Sequence, residues 1–197
     1  AVVNSPPTQR NYAWRDYGNR VGIWRLLRLF DELQLPAAHN VNSMLYRYQA
    51  AEGGRWKATP NEIVERDAEG RVHRVRFVPP GPMLTAPLMG GLTDAYRSAV
   101  AAGREPAVLI PLAVLDFLCI HPFRDGNGRA SRVVASLAMY RGGFKLPEFT
   151  SLEEWWGRHV SEYYAAFECL GRSWNPRADV TPFIEAHVLA QATQVEA

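Results

Sequence analysis

From His121 to Arg132 the sequence reads His121-Pro122-Phe123-Arg124-Asp125-Gly126-Asn127-Gly128-Arg129-Ala130-Ser131-Arg132. Gly126 and Gly128 can take positive φ and let the backbone approach a ligand closely. A glycine-containing turn that opens a helix aims several N–H groups at one point, and the helix dipole adds positive potential there. That is an anion site, most often for phosphate. Arg129 and Arg132 lie three apart and share a helix face, where two guanidinium groups suit a polyphosphate. Asp125 offers a carboxylate oxygen beside that site, the usual way a protein holds Mg²⁺ against phosphates. A neutral imidazole at His121 can take the proton of an incoming hydroxyl.

Singly, each residue has an ordinary reading: a turn, two solvated arginines, a structural histidine. Together they place a base, a metal ligand, an anion nest and two cations in one short stretch, which points to phosphate chemistry. The flanking segments must position it. Ala107 to Ile120 is an apolar run long enough for a buried helix, and Val133 to Tyr140 is apolar again. The spacing therefore predicts helix, tight loop, helix, with the first helix delivering His121.

These residues resemble the signature of Fic domains, His-x-Phe-x-(Asp or Glu)-Gly-Asn-Gly-Arg-x-x-Arg, with every fixed position present. The resemblance covers about residues 50 to 190. It implies a mainly α fold, a Fic-type helical bundle with a short β-hairpin flap, and transfer of AMP from ATP to a hydroxyl side chain of a target protein. By the resemblance His121 is the general base and Asp125 the Mg²⁺ ligand. Asn127, with the amides of the Gly126–Gly128 loop, holds the α-phosphate; Arg129 and Arg132 hold the outer phosphates. Phe123 anchors the loop in the core.

The whole chain sets bounds. Its 197 residues suggest one domain with an appendage, and 47% hydrophobic residues supply a core. A formal net charge of +2, with no basic run, gives no argument for nucleic acid. Cys119 and Cys169 sit in apolar, helix-like contexts and read as buried free thiols, with no zinc-site spacing. No apolar run approaches a membrane span, and no signal-peptide pattern opens the sequence as given. A cytoplasmic setting is the expectation, with delivery into another cell left open.

The expected division is a tail and amphipathic helix over 1–49, then a Fic domain over 50–197. Val21, Trp24, Leu27, Phe30 and Leu33 recur at helical spacing before Pro36. Residues 15–45 also resemble a fragment of polysaccharide deacetylase domains, without the histidines for a metal site. Gly53-Gly54-Arg55-Trp56 opens the Fic-like part. Ile63-Val64 and Val72, Val75, Phe77 flank Asp67-Ala68-Glu69-Gly70, the pattern of a hairpin near 62–78. The resemblance makes it a flap whose Arg74, Val75, Arg76 and Phe77 clamp the target segment by strand addition.

Helices are expected from Thr85-Ala86-Pro87, from Pro106, and from a Ser151–Glu154 capping box carrying Trp155, Trp156, Tyr163, Tyr164 and Phe167. A last helix is expected from Thr181-Pro182 with threonine as its cap. Tyr163 and Tyr164 match a place where Fic domains contact the nucleotide.

Two further readings accompany AMP transfer: another nucleotide or phosphate-containing group moved on the same scaffold, and a nucleotide-binding module without turnover. Many Fic domains are held off by a (Ser or Thr)-x-x-x-Glu-(Gly or Asn) helix whose glutamate pairs with the second motif arginine, here Arg132. No segment of this sequence meets that pattern. The expectation is constitutive activity, or inhibition by a separate, antitoxin-like partner protein that supplies the glutamate.

Overall fold

A computed structural model of the chain describes residues 41–44, 46, 53–67, 69–143 and 152–196. The amphipathic helix expected before Pro36, the deacetylase-like segment up to residue 40, and Ser151 lie outside the described residues.

Residues 41–44 are helical, and the hairpin follows them. Strand β1 (Ile63–Arg66) pairs antiparallel with β2 (Val72–Phe77) as a two-stranded sheet. Its turn is built by Asp67, whose side chain accepts from the amides of Glu69 at 3.1 Å and Arg71 at 2.8 Å. Gly70 takes φ 80° to let the chain return. Two register shifts, at Ile63/Val64 and Glu65/Arg66, twist the ribbon. Phe77 turns into the core and Val78 bridges to Ser173, fastening the hairpin's root.

The helices follow: α1 (Pro82–Ala101), α2 (Pro106–Ile120), α3 (Asn127–Arg141), α4 (Leu152–Arg158), α5 (Val160–Ala166) and α6 (Thr181–Glu196), with a 3-10 turn at Glu168–Leu170. Helix α2 packs against α1, α3 and α6. It separates two clusters of buried residues. Phe117 and Ile120 face Met89, Phe123, Ala130 and Leu137, while Leu115 and Cys119 face Phe77, Ala166 and Phe183. That is why its sequence is apolar on most sides. Both cysteines are free, and burial pushes the Cys119 thiol up to about 12.

Three boundaries differ from expectation. Helix α1 begins at Pro82 and runs through Pro87. Pro82 occupies a first-turn position where a missing N–H costs nothing. Pro87 forfeits the bond to the Met83 carbonyl, and Met83 is 90% exposed, so water can serve that oxygen. The aromatic helix expected from 151 onward is two helices. At His159 the backbone leaves the helical region (φ −120°, ψ 53°), its ring stacks on Trp155 at 3.9 Å, and its Nδ1 bonds the Trp155 carbonyl at 2.9 Å. At α6 the side-chain cap comes from Asp179, which accepts from the Thr181 amide at 3.0 Å, and not from Thr181 itself. Before residue 50, Asn42 and Tyr46 bond directly to the motif loop.

Candidate active site

Helix α2 ends at Ile120, and His121 caps it in the left-handed region (φ 51°, ψ 59°), the one non-glycine residue with positive φ among the described residues. The ring is tied back: Nδ1 lies 3.2 Å from the Leu118 carbonyl. A carbonyl only accepts, so this contact assigns the proton to Nδ1 and leaves Nε2 as the basic nitrogen. Burial lowers the imidazole pKa, and the nearby Lys57 charge lowers it further; the Leu118 contact and Asp125 push the other way. His121 is therefore neutral at physiological pH, the state a base requires.

After His121 the chain turns through Pro122 and Phe123 into the core. Phe123 is 1% exposed and stacks on Trp56 with ring centroids 5.3 Å apart. Asn127 clamps the loop: its Oδ1 accepts from the Phe123 amide at 2.9 Å and its Nδ2 donates to the Phe123 carbonyl at 2.8 Å. These two bonds fix the loop's shape. They use one of the two Nδ2 hydrogens, so the phosphate contact expected from the resemblance is compatible with them.

Gly126 takes φ 81° and starts α3. An added Cβ would stand 2.9 Å from Tyr46 Cε2, so glycine is required by both conformation and space. Gly128, also expected to use glycine's freedom, sits inside the first turn of α3 and does not have positive φ. The amides of residues 127–129 have no partner within the helix by α-helical geometry and open at its positive end. Arg132 folds back over this turn: a Cβ on Gly128 would lie 3.4 Å from Arg132 Nη1.

Asp125 is held on three sides. Its Oδ1 accepts from the Gly126 amide at 2.6 Å; its Oδ2 accepts from the Tyr46 hydroxyl and from Arg129 Nη2 at 3.2 Å. The Tyr46 bond leads the causes that lower its pKa, followed by the Gly126 amide and the Arg129 and His121 charges. Its side chain is 69% exposed. An ionised, accessible carboxylate fits Mg²⁺, which is bound through one or two carboxylates plus substrate phosphates and water. Among the described residues there is no group of three or more His, Cys, Asp or Glu to hold a metal without such help.

The tyrosine pair divides. Tyr163 is packed among Trp156, Tyr164 and Phe167, at centroid distances of 5.4, 5.5 and 5.0 Å. Burial raises its pKa, while the charge of Arg132 lowers it, which sets it near the motif helix. Tyr164 is 48% exposed, but the Arg76 guanidinium lies 4.9 Å over its ring and donates to its carbonyl at 3.0 Å. The flap thus reaches the tyrosine pair through Arg76. On the flap, Arg74 and Arg76 both pair with Glu65 across the hairpin and Val75 is exposed. Phe77 is buried in the core, so only its backbone remains for a target segment.

Four residues that carry the site escape a reading of the motif. Asn42 donates to the Asp125 carbonyl at 3.0 Å and accepts from the Gly54 amide at 2.9 Å. Tyr46 bridges Asp125 and Arg129. Lys57 and Asn61 bond the carbonyls behind His121. Each is an ordinary residue type far from the motif in sequence; only the lysine beside the Gly-Arg-aromatic run carried any signal.

The profile of the Fic/DOC family matches residues 32–139. The chain is 39% identical over 67 residues to the protein adenylyltransferase Fic of Drosophila willistoni, covering 34% of this chain and 14% of that protein. It is 29% identical over 167 residues to the protein adenylyltransferase fic-1 of Caenorhabditis briggsae, covering 82% of this chain and 32% of that protein. The chain thus spans less than a third of the length of either relative. Among solved structures, a Fic family protein from Desulfovibrio desulfuricans superposes with a TM-score of 0.69 at 22% identity, over 96% of this chain and 53% of that one. Fic-1 of Caenorhabditis elegans superposes with a TM-score of 0.59 at 20% identity, over 100% of this chain and 53% of that one. With the signature intact on the matching helix–loop–helix, this chain belongs to the Fic/DOC family.

Proposed function

We propose that the chain transfers AMP from ATP to a hydroxyl side chain of a target protein. The observation that supports this best is His121, neutral, with Nδ1 protonated and Nε2 basic, at the edge of the amide cluster that opens α3. The names of the adenylyltransferase relatives support the same reaction. His121 Nε2 takes the proton of the target hydroxyl. The hydroxyl oxygen attacks the α-phosphorus, the bond to the bridging oxygen breaks, and pyrophosphate leaves with that electron pair. Arg129 and Arg132 supply positive charge for the departing phosphates, and the α3 amides orient the nucleotide. Mg²⁺, held by Asp125 and the phosphates, would neutralise charge on the leaving group. Positioning and charge stabilisation carry the rate, as in other phosphoryl transfers.

The target would lie along the β2 edge of the hairpin, by main-chain pairing beside Arg74, Val75, Arg76 and Phe77. A separate, antitoxin-like protein that supplies an inhibitory glutamate would act at Arg132.

Incubation of a cell lysate with ATP labelled at the α- or the γ-phosphate separates the reactions. AMP transfer labels protein from the α-position alone, and His121→Ala lowers it by about 10²–10⁴-fold while leaving MgATP binding nearly intact. Labelling from the γ-position alone would replace this reading with phosphate transfer.

A further inference from the structure

We propose that Lys57 and Asn61 are positioning residues for the transfer: their side chains hold His121 in the left-handed backbone conformation that presents its imidazole to the substrate hydroxyl. The proposal deepens the AMP-transfer reading and rests on it. Four successive carbonyls are gripped from one short segment. Ile120 O accepts from Lys57 Nζ at 3.0 Å and His121 O from Asn61 Nδ2 at 3.2 Å. Pro122 O accepts from the Lys57 amide at 2.8 Å, and Phe123 O from Asn61 Nδ2 at 3.1 Å. Asn61 Oδ1 in turn accepts from Lys57 Nζ at 2.9 Å, so the two side chains act as one clasp.

The backbone of His121 needs such a clasp. A left-handed conformation in a residue with a Cβ carries a steric cost and persists only where the surroundings over-determine it. Here the peptide on each side of His121 has its carbonyl fixed, Ile120 by the ammonium and His121 by the carboxamide. A relaxed φ at His121 would swing the ring off the Leu118 carbonyl and out of the site.

The chemistry of Lys57 points the same way. Its residue is 4% exposed, and both side-chain partners are neutral oxygens, Asn61 Oδ1 and Ile120 O. A buried ammonium without a carboxylate is costly, and an apolar side chain of that size would pack more cheaply. Burial lowers its pKa to about 8, so it is mostly charged at neutral pH. That charge sits at the C-terminal end of α2, where the free carbonyls and the dipole favour a cation.

The test compares Lys57→Met, Asn61→Ala and Lys57→Arg with the unaltered chain, using α-labelled ATP for transfer, calorimetry for MgATP binding, and amide hydrogen exchange at His121. The expected result is a loss of about tenfold or more in transfer at saturating ATP for Lys57→Met and Asn61→Ala, with MgATP affinity kept within about threefold. Lys57→Arg, which can still donate to the Ile120 carbonyl, should recover most of the rate. Exchange of the His121 amide, bonded to the Phe117 carbonyl, should quicken in the two disrupting variants. Asn61 is only half-buried, so its variant keeps the test open where Lys57→Met fails to fold. Wild-type transfer rates in folded Lys57→Met or Asn61→Ala overturn the proposal, as does a rate loss with unchanged exchange at His121. If the unaltered chain transfers no AMP, the reaction assignment fails by itself; unchanged exchange in both disrupting variants would then overturn the clasp independently.

Discussion

The Tyr46 hydroxyl donates to the carboxylate of Asp125, 79 residues away, and accepts from Arg129 Nη2 at 2.9 Å. It is the leading cause of the lowered Asp125 pKa. A carboxylate whose pKa is depressed by folding adds stability above its unfolded pKa, and that stability is lost as pH falls through the folded value. Tyr46→Phe should therefore raise the Asp125 pKa toward its ordinary value and cost about 1 kcal/mol at neutral pH. Carboxyl-carbon NMR titration and urea unfolding would measure the two effects; an unmoved Asp125 titration would remove Tyr46 from this role.

The pH profile of transfer follows from His121. The base works only when unprotonated, so activity is full above its folded pKa and falls as pH drops through it. Burial, with Lys57, holds that pKa below the ordinary 6.5. The acid limb of kcat/KM should lie under pH 6.5, and a half-point above that value would contradict a buried, cation-flanked imidazole as the base.

Gly126→Ala should destabilise the chain and disturb the site together. The left-handed backbone costs an alanine about 1–2 kcal/mol. Its Cβ would also stand 2.9 Å from Tyr46 Cε2 and 3.2 Å from Asn42 Nδ2. In the double variant with Tyr46→Ala the closest clash is relieved, while the tight approach to Asn42 Nδ2 and the backbone strain are not, so rescue should be partial. Full rescue in urea unfolding would show that space alone requires the glycine.

Acid sensitivity should come in large part from His187. It is buried, with Nδ1 3.2 Å from the Phe183 carbonyl and its ring 4.2 Å from Phe183 and 5.0 Å from Trp156. Burial lowers its pKa from 6.5 to about 4. Between those values the unfolded chain binds the proton and the folded chain does not, so stability falls as pH drops through the window, by roughly 3 kcal/mol in all. His187→Phe should flatten this slope between pH 7 and pH 4; an equally steep fall in the variant would assign it to other groups.

Local chemistry made much of this fold legible. The hairpin was readable from Asp67 and Gly70 between β-prone runs, and α2 from Pro106 and a run that is apolar at nearly every position. Each of these signals acts within a few residues of the feature it sets. The misplaced features depended on something more distant or more specific. Pro87 stays in α1 where Met83, whose carbonyl it leaves without a helical partner, is an exposed residue. At the break, the Trp155 carbonyl accepts from both the amide and the ring Nδ1 of His159, and the ring stacks on Trp155. Asn42, Tyr46, Lys57 and Asn61 had no periodicity to betray them, since their roles arise from carbonyls and carboxylates that only folding brings near.

The hairpin is a cantilever. Its support is at one end: Phe77 sits in the core, the Val78 amide bonds the Arg172 carbonyl at 2.9 Å, and Arg76 is tied to Glu65 and Tyr164. The far end, Asp67 to Arg71, bonds within itself among the described residues. In a beam loaded this way, deflection grows with distance from the support. A peptide laid beside β2 would meet a stiff backbone next to Arg76 and a compliant one next to Val72. Misfit near the root is resisted while misfit near the tip is absorbed, so sequence discrimination along such a peptide would be graded, sharpest where the strand enters the core.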